Sequence, residues 1–406
     1  LSVPLGEGSR DGGRSTGRVR PVVVVLAPRW SGDGEAAWFT RQVARALRRQ
    51  GDVHVITLEG AEPGTAADRV GAEGGGDARC TIHRLAVTPA TWHVARREVL
   101  LAALTAVEAR SGRPNGASVE RLLRRGTDEA WESADQLVAG LRPDLVVVAG
   151  YRQLGAWELC RRIAPAVPRV LVPLADTNPA VGLSHFDPMF ADATATLVAT
   201  GSEHRAVTVG RRDPGRVHVV GLPAVTDTDG AHGQSERSGV VVFTGHRAGD
   251  HDLPAALARL VALALPRVGL TVVSTDVLTT WSGGVSAQSA LPRGSRATRE
   301  LLSASRVTVD LRPGELLARR CIDSLVCGTP IVVPADSRGR QYAESGGCGL
   351  WFSPPGELIW CLEALADPGV SDRLGAQGQD YVKSALGTAS DFAGRVSAVV
   401  GREMAG

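Results

Sequence analysis

The chain has 406 residues, 43% of them hydrophobic and 22% charged, which excludes general disorder and leaves room for two domains, each with its own core. A net charge of +2, with three Tyr and six Phe, supplies neither the basic field nor the stacking platform of a nucleic-acid binder, while leaving an anionic small ligand open. No run approaches the roughly eighteen apolar residues of a membrane span, and the first residues lack the apolar centre of an export signal. The six Cys form no CxxC pair and no cluster with His, so they are expected to be reduced thiols, and the protein is expected in the cytoplasm.

Residues 1–20 are rich in Gly, Ser and Arg and cannot bury enough surface to offset chain entropy, which predicts a disordered tail. Pro21 to Leu26 reads as a buried strand. It is followed by a loop with Gly32 and Gly34, then by a helical pattern through Ala36, Phe39, Val43 and Leu47. A glycine loop between strand and helix puts free backbone N–H groups over the cleft of a doubly wound sheet, although two such glycines also suit a plain turn. Val53 to Thr57 is a second strand and His83 to Val87 another edge. Arg96, Arg97, Arg113, Arg121, Arg124 and Arg125 crowd the helical region that follows, either as a peripheral membrane contact or as a solvated face diluted by Glu98, Glu120, Asp128 and Glu129.

Arg142 to Gly150 is the next strand, with Gly150 and Tyr151 at its mouth. Arg169 to Pro173 follows and leads to Asp176. Thr196 onwards reads as a strand running into a helix with Ser202 as N-cap, and Arg216 to Val220 closes the first unit. Residues 226–238 are polar and without periodicity, the composition of a linker. A second unit begins at Gly239 to Phe243, runs into a loop containing Gly245 and Arg247, and continues through a strand at Leu270 to Ser274, a helix at Arg299 to Ser305 and a strand at Val307 to Leu311.

The chain is organised around Arg312 to Pro334. Glu315 is expected to open a helix, with Asp323 two turns on and near the same face. Gly328 supplies a left-handed ending, Pro330 a stop, and Ile331 to Val333 a buried strand. An acidic residue, seven intervening residues, a second acidic residue and the turn Cys327-Gly-Thr-Pro330 resemble the donor-sugar motif of the retaining glycosyltransferases of family 4.

That resemblance implies the GT-B architecture: an α/β chain of two Rossmann-like, doubly wound parallel-sheet domains facing across a cleft. The acceptor domain would span residues 21–225 and the donor-nucleotide domain residues 239–385, with residues 386–406 forming a helix that crosses back to the first domain. It implies a hexosyltransferase-like activity, moving sugar from a nucleoside-diphosphate donor to a glycan, lipid or small-molecule acceptor. Retention would proceed by front-face attack, with no cofactor and no metal; Asp227 with Asp229, and Asp250 with Asp252, have metal-motif spacing but fall in a linker and a helix start. Glu315 would bind the donor sugar's hydroxyls and Asp323 the ribose. Leu316, Leu317, Gly245 and Arg247 would complete the donor side, Asp176 would touch the transferred sugar, and Gly32, Gly34, Gly150 and Tyr151 would line the cleft.

The sequence departs from the family pattern at Asp323, one methylene shorter than the usual Glu, at Leu316 and Ala318, where glycines are usual, and at His246, where an Arg paired with a later Lys is usual. Those departures favour the alternative, a non-catalytic GT-B protein that binds a nucleotide or glycan.

Overall fold

The structure is a computed structural model that describes residues 20–27, 35–57, 80–85, 134–150, 154–163, 165–175, 187–208, 212–223, 237–244, 270–274, 285–289, 296–311 and 317–405. Its first half carries seven strands: β1 (Val22–Ala27), β2 (Asp52–Thr57), β3 (Cys80–Arg84), β4 (Leu145–Ala149), β5 (Arg169–Val172), β6 (Ala195–Val198) and β7 (Val217–Val219). They pair in parallel in the order β3-β2-β1-β4-β5-β6-β7. The central strands β1 and β4 are near-continuous Val runs buried on both faces, as parallel strands covered by helices require. Helices α1 (Glu35–Leu47), α2 (Asp135–Leu141), α3 (Leu154–Ile163), α4 (Asp187–Asp192) and α5 (Gly201–Val207) connect them.

The second half repeats the plan with β8 (Val240–Thr244), β9 (Leu270–Ser274), β10 (Val285–Ser289), β11 (Val307–Asp310), β12 (Ile331–Pro334) and β13 (Gly349–Phe352), all parallel in the order β10-β9-β8-β11-β12-β13. Its described helices are α6 (Arg296–Ala304), α7 (Arg319–Val326), α8 (Arg340–Gly346), α9 (Pro355–Ala366) and α10 (Pro368–Tyr381). A π-helical turn, Val382–Leu386, leads to α11 (Ala389–Ala405). Helix α11 returns to the first half, where Phe392 meets Phe39 of α1 edge-on with ring centroids 5.8 Å apart. One buried apolar cluster accordingly runs from Val23 and Trp38 through Leu317, Ala318 and Tyr342 to Phe392 and Val400, joining the two sheets through a shared core.

Several boundaries move. The edge strand expected at His83 to Val87 lies at Cys80–Arg84, because pairing with β2 buries Cys80 and Ile82 together. The cap of α5 is Thr200, whose hydroxyl accepts from the Glu203 amide at 3.1 Å. Ser202, expected there, instead donates to Gln341 Oε1 of α8 at 3.3 Å. The helix expected to open at Glu315 begins at Arg319, directly after Ala318 in the left-handed region at φ 44°. Gly328 ends it at φ +70° as expected, and Arg237 donates to the carbonyls of Cys327 and Gly328 at its negative end.

Candidate functional site

Both sheets reverse strand order once, between β1 and β4 and between β8 and β11. In open parallel sheets such reversal points open a crevice beyond the carboxyl ends of the strands, where ligands bind. Ala27 and Ala149 mark that crevice in the first domain, and Thr244 and Asp310 mark it in the second. Gly150 sits at the first with φ 99°, a conformation that suits glycine, and its amide donates to the Val172 carbonyl at 2.7 Å. Leu317 stands just before α7, and Asp323 lies in its second turn. Gly32, Gly34, Tyr151, Asp176, Gly245, Arg247, Glu315 and Leu316 lie outside the described residues, as do the arginine-rich region before residue 134 and residues 226–236 of the expected linker.

Between the two crevices the domains touch through a set of buried polar contacts. Glu35, the first residue of α1, accepts from the Leu317 amide at 2.7 Å through Oε2 and from the Arg319 amide at 2.8 Å through Oε1. The carboxylate thereby takes up amides at the start of α7 that have no partner within the helix, and it sits at the favourable end of the helix dipole. Tyr342 of α8 donates its hydroxyl to the Leu317 carbonyl at 2.8 Å, and burial pushes that phenol's pKa upward, so it remains a donor. Leu317 is thus held at both ends of its backbone. Ala318, between the two bonded amides, occupies a left-handed conformation that costs an L-residue about 1–2 kcal/mol.

Arg319 places its guanidinium 4.1 Å from the centre of the Trp38 ring, across the domain boundary. Its Nε lies 3.9 Å from Asp323 Oδ1 one turn later. Asp323, expected to hold a ribose, is therefore a largely buried neighbour of Arg319. Arg320 lies over Phe243, near the end of β8, at 4.9 Å. Asp310, buried as the last residue of β11, accepts from the Cys321 thiol at 3.6 Å.

A second buried carboxylate lies at the carboxyl ends of two further strands of the first sheet. Glu203 accepts from the Ala175 amide at 2.8 Å and from the Ala199 amide at 2.7 Å, tying the segment after β5 to the end of β6. Leu174, immediately before Ala175, is left-handed at φ 51°. Glu35 is not singled out by spacing rules; the available signal was position, since it stands, like Glu203, in the first turn of a helix that follows a strand.

All six cysteines are free thiols. Burial pushes Cys160 and Cys348 up to about 12, which leaves them as inert thiols at neutral pH. Among the described residues no group of three His, Cys, Asp or Glu is arranged to hold a metal ion, and no helix is long and apolar enough to cross a membrane.

No protein-family model matches the chain, and no curated protein matches its sequence. Solved structures do. A sucrose-phosphate synthase from Thermosynechococcus elongatus is similar over 95% of this chain and 100% of its own, with a TM-score of 0.67 at 15% identity. HepE from Anabaena, solved in complex with UDP-glucose, is similar over 94% of this chain and 100% of its own, with a TM-score of 0.61 at 12% identity. An α,α-trehalose 6-phosphate synthase from Burkholderia multivorans matches 95% of this chain and 98% of its own, with a TM-score of 0.65 at 12% identity. The fold is GT-B: two Rossmann-like domains facing across a cleft.

Proposed function

We propose that the protein is a retaining glycosyltransferase that moves a sugar from a nucleoside-diphosphate donor to an acceptor hydroxyl, without a metal and in the cytoplasm. The observation that carries this reading is the junction itself: the start of α7, beside the reversal point of the second sheet, meets the start of α1, which follows the reversal point of the first. A ligand bound beyond β8 and β11 would face the mouth of β1 and β4, which is the geometry needed to present a donor sugar to an acceptor. Similarity along most of the chain to HepE, solved with UDP-glucose, supports a nucleotide sugar as the donor class.

In this reading the donor lies on the second domain. Glu315 engages the sugar, Asp323 the ribose, and Gly245, Arg247, Leu316 and Leu317 the remainder of the nucleotide. Asp176 approaches the transferred sugar from the first domain, while Gly32, Gly34, Gly150 and Tyr151 border the acceptor. The acceptor is a glycan, lipid or small-molecule hydroxyl. Departure of the diphosphate leaves negative charge that arginines and backbone N–H groups would stabilise.

The test is a screen of nucleotide sugars for thermal protection, followed by release of nucleoside diphosphate with and without EDTA. Turnover that survives EDTA, and is lost in Glu315→Ala with little change in melting temperature, is the expected result. Full activity in that variant removes Glu315 from the mechanism, and loss of turnover in EDTA overturns the metal-independent assignment.

One observation favours a non-catalytic nucleotide- or glycan-binding protein instead. The chain's only lysine, Lys383, lies in the π-helical turn before α11 rather than on the loop after β8, where the family that the sequence resembles pairs an Arg with a later Lys. Thermal protection by UDP with no diphosphate release from any nucleotide sugar is the outcome that selects this second reading.

A further inference from the structure

We infer that Glu35 is a positioning residue that latches the two domains together and presets the donor-side turn at Leu317 to Arg319, an inference that rests on the transferase reading above. Three residues of the first turns of α1 point the same way, as positions i, i+3 and i+4 of a helix do. Glu35 reaches the amides of Leu317 and Arg319, Trp38 lies under the Arg319 guanidinium, and Phe39 packs on Phe392. The Glu35 bonds are charge-assisted, and the residue is only 7% exposed, so water competes weakly for the two amides.

The turn they hold does not hold itself. Ala318 stands between the two bonded amides in a backbone conformation that glycine adopts freely and alanine does not. Tyr342 fixes the Leu317 carbonyl from the opposite side, leaving the amide side of the turn to Glu35. A carboxylate of the first domain thus imposes the shape of a segment that the transferase reading places in the donor site of the second. If that shape is the binding-competent one, its population divides the apparent affinity, and losing the latch weakens donor binding while leaving the chemical step in the bound, closed enzyme unchanged.

Glu35→Gln preserves size while replacing one accepting oxygen with an NH2 group that cannot accept from an amide. With UDP-glucose as probe, KM is expected to rise about tenfold while kcat changes by less than about twofold. Hydrogen exchange at the amides of Leu317 and Arg319 is expected to accelerate, with Ile331 to Val333 of β12 unaffected. Adding Ala318→Gly to Glu35→Gln should recover part of the lost affinity, because glycine adopts the turn unaided.

A KM that stays the same overturns the inference. So does a KM that falls, which would mark the carboxylate as a competitor for the donor's phosphates. Unchanged exchange at the two amides overturns it as well. Should the wild-type protein neither bind nor turn over UDP-glucose, that failure counts against the transferase reading for this donor, and the exchange measurement still decides whether Glu35 is a latch.

Discussion

Arg395 donates through Nε to the Val220 carbonyl at 2.7 Å, fastening the last helix of the chain to the end of the first sheet. Its NH2 group also donates to the Leu386 carbonyl at 2.8 Å, so one guanidinium pins both the π-helical turn and the residue after β7. Gly221 makes the approach feasible: at φ +75° it adopts a conformation favouring glycine, and a Cβ there would stand 2.9 Å from that same NH2. The return of α11 is therefore specified by polar contacts at its side and by Phe392 against Phe39 at its start.

Phe392→Ala should lower stability by about 3–5 kcal/mol, the range for emptying a buried aromatic site, since the ring is fully enclosed between the two domains. The check is the urea midpoint of the variant against that of the wild type. A loss under about 1 kcal/mol would mean that α11 contributes little to coupling the domains.

Much of the architecture was legible because apolar runs and turn residues announce themselves. Val22 to Leu26, Leu145 to Val148 and Ile331 to Val333 are β-branched or aliphatic stretches too short for helices, and each is a central parallel strand. Gly328 followed by Pro330 marked the end of α7 correctly. The strand Val285–Ser289 was not legible, because its Val-Ser-Ala-Gln-Ser composition carries no apolar signal and its place at the sheet edge demands none. Helix α7 was misplaced at its start because the decisive partner is Glu35, some 280 positions away, and local propensity cannot register a cap supplied by another domain. Spacing likewise singled out Asp323 but not its neighbour Arg319 or Trp38, which meets Arg319 only in the folded chain.

Glu203 offers a second test of what a buried carboxylate holds in place. Glu203→Gln keeps the volume but can accept only one of the two amide bonds now made by Ala175 and Ala199, leaving the other N–H facing an amide NH2. A cost of about 1.5–3 kcal/mol is expected for the lost charge-assisted bond. Because Ala175 precedes Asp176, the transferase reading also expects kcat to fall more than the stability change alone would cause at working temperature. Measuring urea unfolding and initial rates on the same preparation separates the two, and an unaltered rate with the full stability loss would make Glu203 purely a fastener of β5 to β6.

The imidazoles of β2 and β3 give the fold a defined response to mild acid. His54 Nδ1 and His83 Nε2 lie 3.1 Å apart with their rings stacked, an arrangement that needs one ring to donate and the other to accept. Burial lowers the pKa of both; Asp52 opposes the shift at His54, while His54 itself adds to it at His83. Folded-state pKa values below the ordinary imidazole value of about 6.5 mean that the unfolded chain binds more protons as the solution is acidified, so stability must decline as pH falls through and below that value. His218, also lowered mainly by burial, adds in the same direction. The urea midpoint is therefore expected to drop between pH 7.5 and 5.5, a window above the range in which ordinary carboxylates titrate. Replacing both His54 and His83 with Gln should flatten that slope, leaving the contribution of His218. A double variant whose midpoint falls as steeply as the wild type would place the acid sensitivity elsewhere in the molecule.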